Sequence, residues 1–340
     1  MKKRFFWGIL AILLSAFLGI LIQNFSSSLY NETLVKVDTI EFQENQQILN
    51  GTYLNGEEKG QKVALNVDFQ NNEAVQPRFK KGNQVFIDNG QVVEKKRDGF
   101  VVFLLALLMS SLLLIGGKMG FTTFISVILN SIGLYGMVWI YRQNPQFQLV
   151  TITMIYMIFA TGITLFLIDG IQKNSLQKFL ATIVTILLAY FICFIVMSIG
   201  NDRGLRFEDM GILTRPYRSI FLSSLLIGAI GATLDTVVTV ISTLEEIELQ
   251  NKQITLNQLL ESGRRVGEDI SGTMINVLVC SYLSSSIPLF LLYLFNGWSF
   301  FHSANMLLSL ELVRILCGGF GILFSIPVSL GFFYMRRRKQ

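Results

Sequence analysis

The chain has 340 residues, of which 51% are apolar and only 15% charged, and its mean hydropathy is +0.52. Soluble domains carry about 25% charged residues, so this composition excludes an ordinary soluble globular protein. The net charge of +5 does not mark a nucleic-acid binder, because the basic residues cluster at the ends of apolar blocks and form no groove-sized patch.

The first apolar block, residues 5–22, follows Lys2, Lys3 and Arg4. It is longer than a secretory signal core and no small-x-small cleavage site follows, so residues 1–25 read as an uncleaved membrane anchor helix. Residues 26–98 are polar. Alternating runs at Leu34–Val37, Lys62–Val67 and Gln84–Ile87 predict strands. Turn signals stand between them at Asn50-Gly51, Asn55-Gly56, Lys81-Gly82-Asn83 and Asp88-Asn89-Gly90. About five short strands suggest a small β-rich extracytoplasmic domain, an OB-like barrel or a sandwich. It holds no cysteine and must fold without disulfides.

Residues 99–340 predict a mainly α-helical membrane bundle. Seven further spans are expected at 99–116, 120–141, 149–169, 179–199, 218–243, 273–295 and 304–334, which makes about eight transmembrane helices in all. Lys2 to Arg4 at one end and Arg336 to Lys339 at the other place both termini in the cytoplasm of a multi-pass membrane protein. The loop 200–217 opposes that count, since it falls outside yet holds Arg203, Arg206 and Arg215, with Asp202, Glu208 and Asp209 available to neutralise part of their charge. Residues 244–272 form the longest polar stretch between spans. Within it, Thr255 and Gln258 fit a capping box, and Leu256, Leu259 and Leu260 give one apolar face up to Gly263, so an amphipathic cytoplasmic helix is expected there. The three cysteines, Cys193, Cys280 and Cys317, lie in apolar blocks and read as small buried hydrophobes.

Charges inside apolar blocks are costly, and they mark the candidate sites. Asp235 is the foremost. Gly228 and Ala232 share its helix face, so another helix can approach there while the carboxylate points into the bundle. Glu311 and Arg314, three residues apart, can pair on one helix. Asp169 stands at the end of its block. The run from Ser262 to Asn276 brings Gly263, Arg264, Arg265, Gly267, Glu268, Asp269, Gly272 and Asn276 to the mouth of a span that later holds Ser284, Ser285, Ser286 and Pro288. A proline and serines suit a broken helix of the kind that exposes backbone to a substrate or ion. The single histidine, His302, reads as interfacial beside Trp298, Phe300 and Phe301. No Walker A, HExxH, GxSxG or CxxC pattern is present, so no enzyme motif and no cofactor is indicated.

The segments GAIGATLDTVVTVISTLEEI and SGRRVGEDISGTMINVLVCSYLSSSIPLFLLY resemble the YibE/F family of bacterial membrane proteins. Gly231, Ala232, Asp235, Gly263, Asp269, Gly272, Thr273, Met274, Asn276 and Pro288 occupy its motif positions. Where the family pattern has Gly-Arg-Asp, this chain has Gly267-Glu268-Asp269, which leaves the basic role to Arg264 or Arg265. The resemblance implies a bacterial cytoplasmic membrane and often two such proteins encoded side by side. It implies no established activity. The leading expectation is a transporter or permease-like protein with a polar pathway near Asp235 and residues 263–288. Its partners would be the lipid bilayer and a second family member or another copy of itself. The alternatives are a non-transporting envelope-assembly or signalling protein, and an intramembrane aspartyl hydrolase built on Asp169 and Asp235.

Overall fold

The computed structural model describes residues 2–43, 46–68, 78–88, 90–170, 173–210 and 216–338. Two compact units divide the chain, residues 1–124 and 125–340. Among the described residues, seven helices are long and apolar enough to cross a membrane.

The first unit contains helix α1 (Lys2–Phe25) and five strands, β1 (Thr33–Gln43), β2 (Gln46–Tyr53), β3 (Lys62–Asp68), β4 (Gln84–Asp88) and β5 (Gln91–Lys95). All pairings are antiparallel, in the order β3-β2-β1-β4-β5, so β1 is central. Alternation puts Val35, Val37, Leu49, Leu65, Val85 and Ile87 on one face, where Phe79 completes the core. The sheet is established, while closure into the expected OB-like barrel is not shown: β3 and β5 approach each other but share no hydrogen-bonded pairing among the described residues. Gly56, Gly82 and Gly90 have φ of +80°, +86° and +77°, which confirms their turns, while Asn89 lies outside the described residues. Asn50-Gly51 is no turn. It lies inside β2, opposite an irregularity between Val37 and Thr39, where a side chain on Gly51 would come within 2.6 Å of Val35. Asn55 does more than turn the chain. Its amide accepts from the Leu34 N–H and donates to the carbonyls of Ser27, Tyr30 and Glu32, tying the domain to the end of α1.

Helix α2 (Asp98–Gln143) spans 46 residues, and its first part belongs to this unit. The sequence predicts two helices here, and the run is interrupted at Gly117, with φ 55° and ψ −125°. A side chain at Gly120 would collide with the Leu112 carbonyl. On a straight helix those residues would be about 12 Å apart, so the chain doubles back at Gly117.

The second unit holds the remainder of α2 with α3 (Leu149–Asp169), α4 (Lys173–Ile199), α5 (Tyr217–Gln250), α6 (Leu256–Phe295) and α7 (Phe300–Arg337). Two apolar clusters form its core. One gathers Met157, Ile186, Tyr190, Leu226, Ala229 and Cys317 with their neighbours, and the other Ala181, Val237, Val240, Leu244 and Phe333. A layer of buried hydroxyls separates them on three helices, with Thr182 and Thr185 on α4, Thr233 and Thr236 on α5, and Ser325 on α7, and Thr161 on α3 is also buried. Thr182, Thr185, Thr236 and Ser325 return their hydrogen bonds to backbone carbonyls one turn back, so such residues cost little in an apolar core. Gly321 lets α7 close on this layer, with Thr233 Oγ1 2.5 Å from where a Cβ would stand.

Helix α6 corrects two expectations. It runs without a break for 40 residues, so Gly263 does not end a separate amphipathic helix and Pro288 does not break the span. The capping box of Thr255 and Gln258 is present and starts this long helix. Gly263 packs under Leu244 and Leu330, and Gly267 under Ile326, at 2.6 to 2.9 Å from a notional Cβ. The glycines are there for close approach to α5 and α7. The polar stretch between α5 and α6 shrinks to residues 251–255, because α5 continues to Gln250.

Candidate functional site

Two polar regions of the second unit stand out, and they differ in how their charges are satisfied. The first closes one end of the bundle. Lys178 on α4 is 5% exposed, and its ammonium lies 2.6 Å from Asp169 at the end of α3 and 3.7 Å from Glu245 on α5. Arg336 on α7 donates to Glu245 at 3.0 Å, to Glu248 at 3.2 Å and to Asn174 at 2.8 Å. Arg337 pairs with Glu248 at 3.3 Å and donates to the Ile254 carbonyl. Three cations meet three carboxylates, so the cluster is neutral. It pins the end of α3, the start of α4 and the ends of α5 and α7 to one membrane face. Sequence reasoning missed it, since Glu245 and Glu248 were read as loop and Arg336 as a topology signal. Asp169 was a candidate, and its partner is Lys178, not Asp235.

The second region lies on the outer side of the α5–α6 pair. The Tyr282 hydroxyl of α6 sits against Gly228, and Gly263 sits under Leu244. These contacts pair position 228 with 282 and 244 with 263, so the antiparallel register sets Asp235 level with residues 272–275. Gly228 precedes Asp235 by seven residues, two helical turns, and therefore shares its stripe. Leu244 lies nine residues on, about two and a half turns, on the opposite side of α5. Helix α6 thus crosses α5 obliquely and leaves Asp235 on the rim of the contact. Asp235 is exposed, as are Gly231, Asp269, Gly272, Thr273 and Asn276. This corrects the expectation of a carboxylate in the bundle interior: Gly228 does mark the approach of α6, but the crossing angle carries α6 past Asp235. No hydrogen bond or ion pair reaches the side chain of Asp235 or of Asn276 among the described residues.

The other candidates scatter. Arg264 and Arg265 are exposed and paired within their own helix, with Glu268 and Glu261, both at 2.7 Å. Such exposed pairs are screened by water and add little to stability. Neither arginine is brought to Asp235. Ala232 is half-buried, and Pro288 is exposed on α6. Glu311 and Arg314 pair on α7 as their spacing implies, and the guanidinium lies 5.3 Å over the Phe221 ring. Ser284 and Ser285 bond to carbonyls three residues back. Ring contact at 4.5 Å joins His302 to Trp298. Cys193 and Cys317 are buried as expected, whereas Cys280 is exposed on α6. In the loop 200–217, Arg218 pairs with Asp202 at 3.0 Å, and Arg215 lies outside the described residues.

No curated protein and no solved structure matches the chain. Two family models do. Residues 28–99 match the YibE/F family N-terminal domain, which coincides with the β-sheet domain, and residues 104–339 match the YibE/F-like protein model, which takes in both polar regions. Together they cover nearly all of the helices and strands described above, and the chain belongs to the YibE/F family.

Proposed function

We propose that this membrane protein is a transporter, permease-like in character, and that the open α5–α6 face around Asp235 lines its polar pathway. One observation carries the reading. An unpaired carboxylate stands midway along a 34-residue helix, level with the exposed Gly272 and Thr273 and one residue short of Asn276. A charge facing hydrocarbon there would cost about 2.5–3.5 kcal/mol or more, so this face needs water, solute or a polar partner against it. A second family member or another copy of the chain would complete the pathway from the other side. A non-transporting assembly role remains the second reading, favoured if a partner helix seals the face. The direct test is Asp235→Asn in cells and in proteoliposomes holding a pH-sensitive dye. Normal membrane levels with lost cation-driven flux support the proposal, and full flux overturns it.

The same proposal includes topology. With the reversal at Gly117 dividing α2, the chain makes eight crossings. Both termini then face the cytoplasm of a bacterial cell membrane, the ionic cluster lies on the cytoplasmic face, and the β domain lies outside. Lys118, just past the reversal, then falls on the cytoplasmic side as the positive-inside bias requires. A cysteine replacing Lys59, on an exposed turn, should react with an impermeant thiol reagent from outside intact cells, and one replacing Asn257 should not. Asn55 is unsuited to this purpose, because its side chain holds the junction with α1 together.

A further inference from the structure

The first unit carries a basic pocket that the transport reading does not use. Its cavity of 540 Å³ is lined by Arg78, Lys95, Lys96 and Arg97 together with Gln84 and Phe100, and no acidic residue lines it among the described residues. Lys96 is the buried floor. Its ammonium donates to the Gln23 carbonyl at 2.7 Å and to Gln84 Oε1 at 3.0 Å, and lies 3.5 Å from Asp98. Burial pushes that ammonium below its ordinary pKa, and the Asp98 carboxylate opposes the shift. Asp98 is itself engaged, accepting from Ser26 and Tyr30. The pocket therefore keeps a positive field from Lys95 and Arg97 at its walls.

A second cavity, of 370 Å³, adjoins the first and shares Gln23 and Phe100 with it. Ala16, Gly19 and Ile20 of α1 and Gly99 and Phe103 of α2 line it, and it is apolar. It exists because α1 and α2 cross closely: a side chain on Gly19 would stand 2.7 Å from the Gly99 carbonyl, and one on Gly99 would stand 2.7 Å from the Gly19 carbonyl. The two cavities are ordered along the helices. The basic one lies where α1 ends and α2 begins, and the apolar one on the helix bodies, so a membrane crossed by α1 and α2 would put headgroups at the first and acyl chains at the second.

We propose that the first unit binds one anionic phospholipid, its phosphate headgroup in the basic pocket and an acyl chain along the α1–α2 groove. Charge complementarity selects the headgroup, and the continuous apolar groove selects a lipid over free phosphate. In the orientation proposed above, Lys95, Lys96 and Arg97 flank their span on the outer side, where the positive-inside bias does not account for them. The site itself does not depend on that orientation, nor on whether the protein transports anything.

The test uses the full-length protein in nanodiscs of equal phosphatidylglycerol and phosphatidylcholine, released into mild detergent for native mass spectrometry. The wild type should carry one phosphatidylglycerol in clear preference to phosphatidylcholine. Lys95→Gln with Arg97→Gln, which leaves the Lys96 floor intact, should weaken that retention about thirtyfold. Ala16→Phe, which fills the groove and touches no cation, should also weaken it. Equal carriage of the two lipids overturns the proposal, as does either variant matching the wild type while eluting as a folded single species. Release of the lipid by millimolar inorganic phosphate would show a site for a free anion and would overturn the lipid assignment.

Discussion

The ionic cluster at the end of the bundle and the Asp235 rim are both polar regions of one helical unit, yet they are built on opposite terms. In the cluster every carboxylate has a cation, and Lys178 has two carboxylates within 4 Å. On the rim the carboxylate has no side-chain partner among the described residues. Pairing neutralises buried charge and makes the cluster part of the scaffold, where its task is to hold four helix ends in register. An unpaired acid midway along its helix does nothing for stability. Its presence is explained only by something it meets outside its own unit, be that water, solute or another chain. Polar residues in a membrane bundle are thus sorted by whether the fold itself satisfies them.

The largest expected effect comes from breaking the paired region. Lys178→Met leaves Asp169 and part of Glu245 uncompensated and should cost about 3–5 kcal/mol, read as loss of the folded protein in detergent thermal-stability measurements. Adding Asp169→Asn to that variant should recover part of the loss. If Lys178→Met proves harmless, the cluster is not scaffold.

A smaller effect tests the α6 contacts. Gly267→Leu forces a side chain into Ile326 and should destabilise by about 1–3 kcal/mol, whereas Gly272→Ala, with nothing within 4 Å, should stay within about 0.5 kcal/mol of wild type. Equal losses at both positions would place α6 elsewhere. The smallest stability effect is expected at the rim. Asp235→Asn should change thermal stability by less than about 0.5 kcal/mol, because no partner is lost, while removing activity. A large destabilisation there would make Asp235 structural and dissolve the contrast between the two regions.

Much of the fold was legible in the chain. The 149–169 span matches α3, and three of the five strands stand where alternation put them, because both signals depend on local periodicity alone. The errors share one cause, which is that a residue's local meaning was overridden by a distant neighbour. Glu245 and Glu248 looked like the end of a span, but Lys178 and Arg336 let helix α5 continue through them. Gly263 looked like a stop, and it is a contact point for Leu244 and Leu330. Asn50-Gly51 looked like a turn, and the crowding of Val35 makes it a strand position. Asp235 and Asn276 were legible as a candidate pair, and the register of α5 and α6 does set them near one level. Their exposure was not legible, since it depends on the angle at which two helices cross.

The central claim is that the Asp235 face meets water or a polar solute, not lipid. After Cys280 is replaced by serine, a single cysteine at Asn276 can be challenged with a small hydrophilic methanethiosulfonate in native membranes. Leu188 on α4 supplies the control: it is exposed and apolar, and its neighbour Ala189 packs at the level of Thr233, one half-turn from Asp235. The account predicts rapid modification of Asn276→Cys and none of Leu188→Cys. If both stay unmodified, or both react alike, the Asp235 face is no aqueous pathway and the account is contradicted.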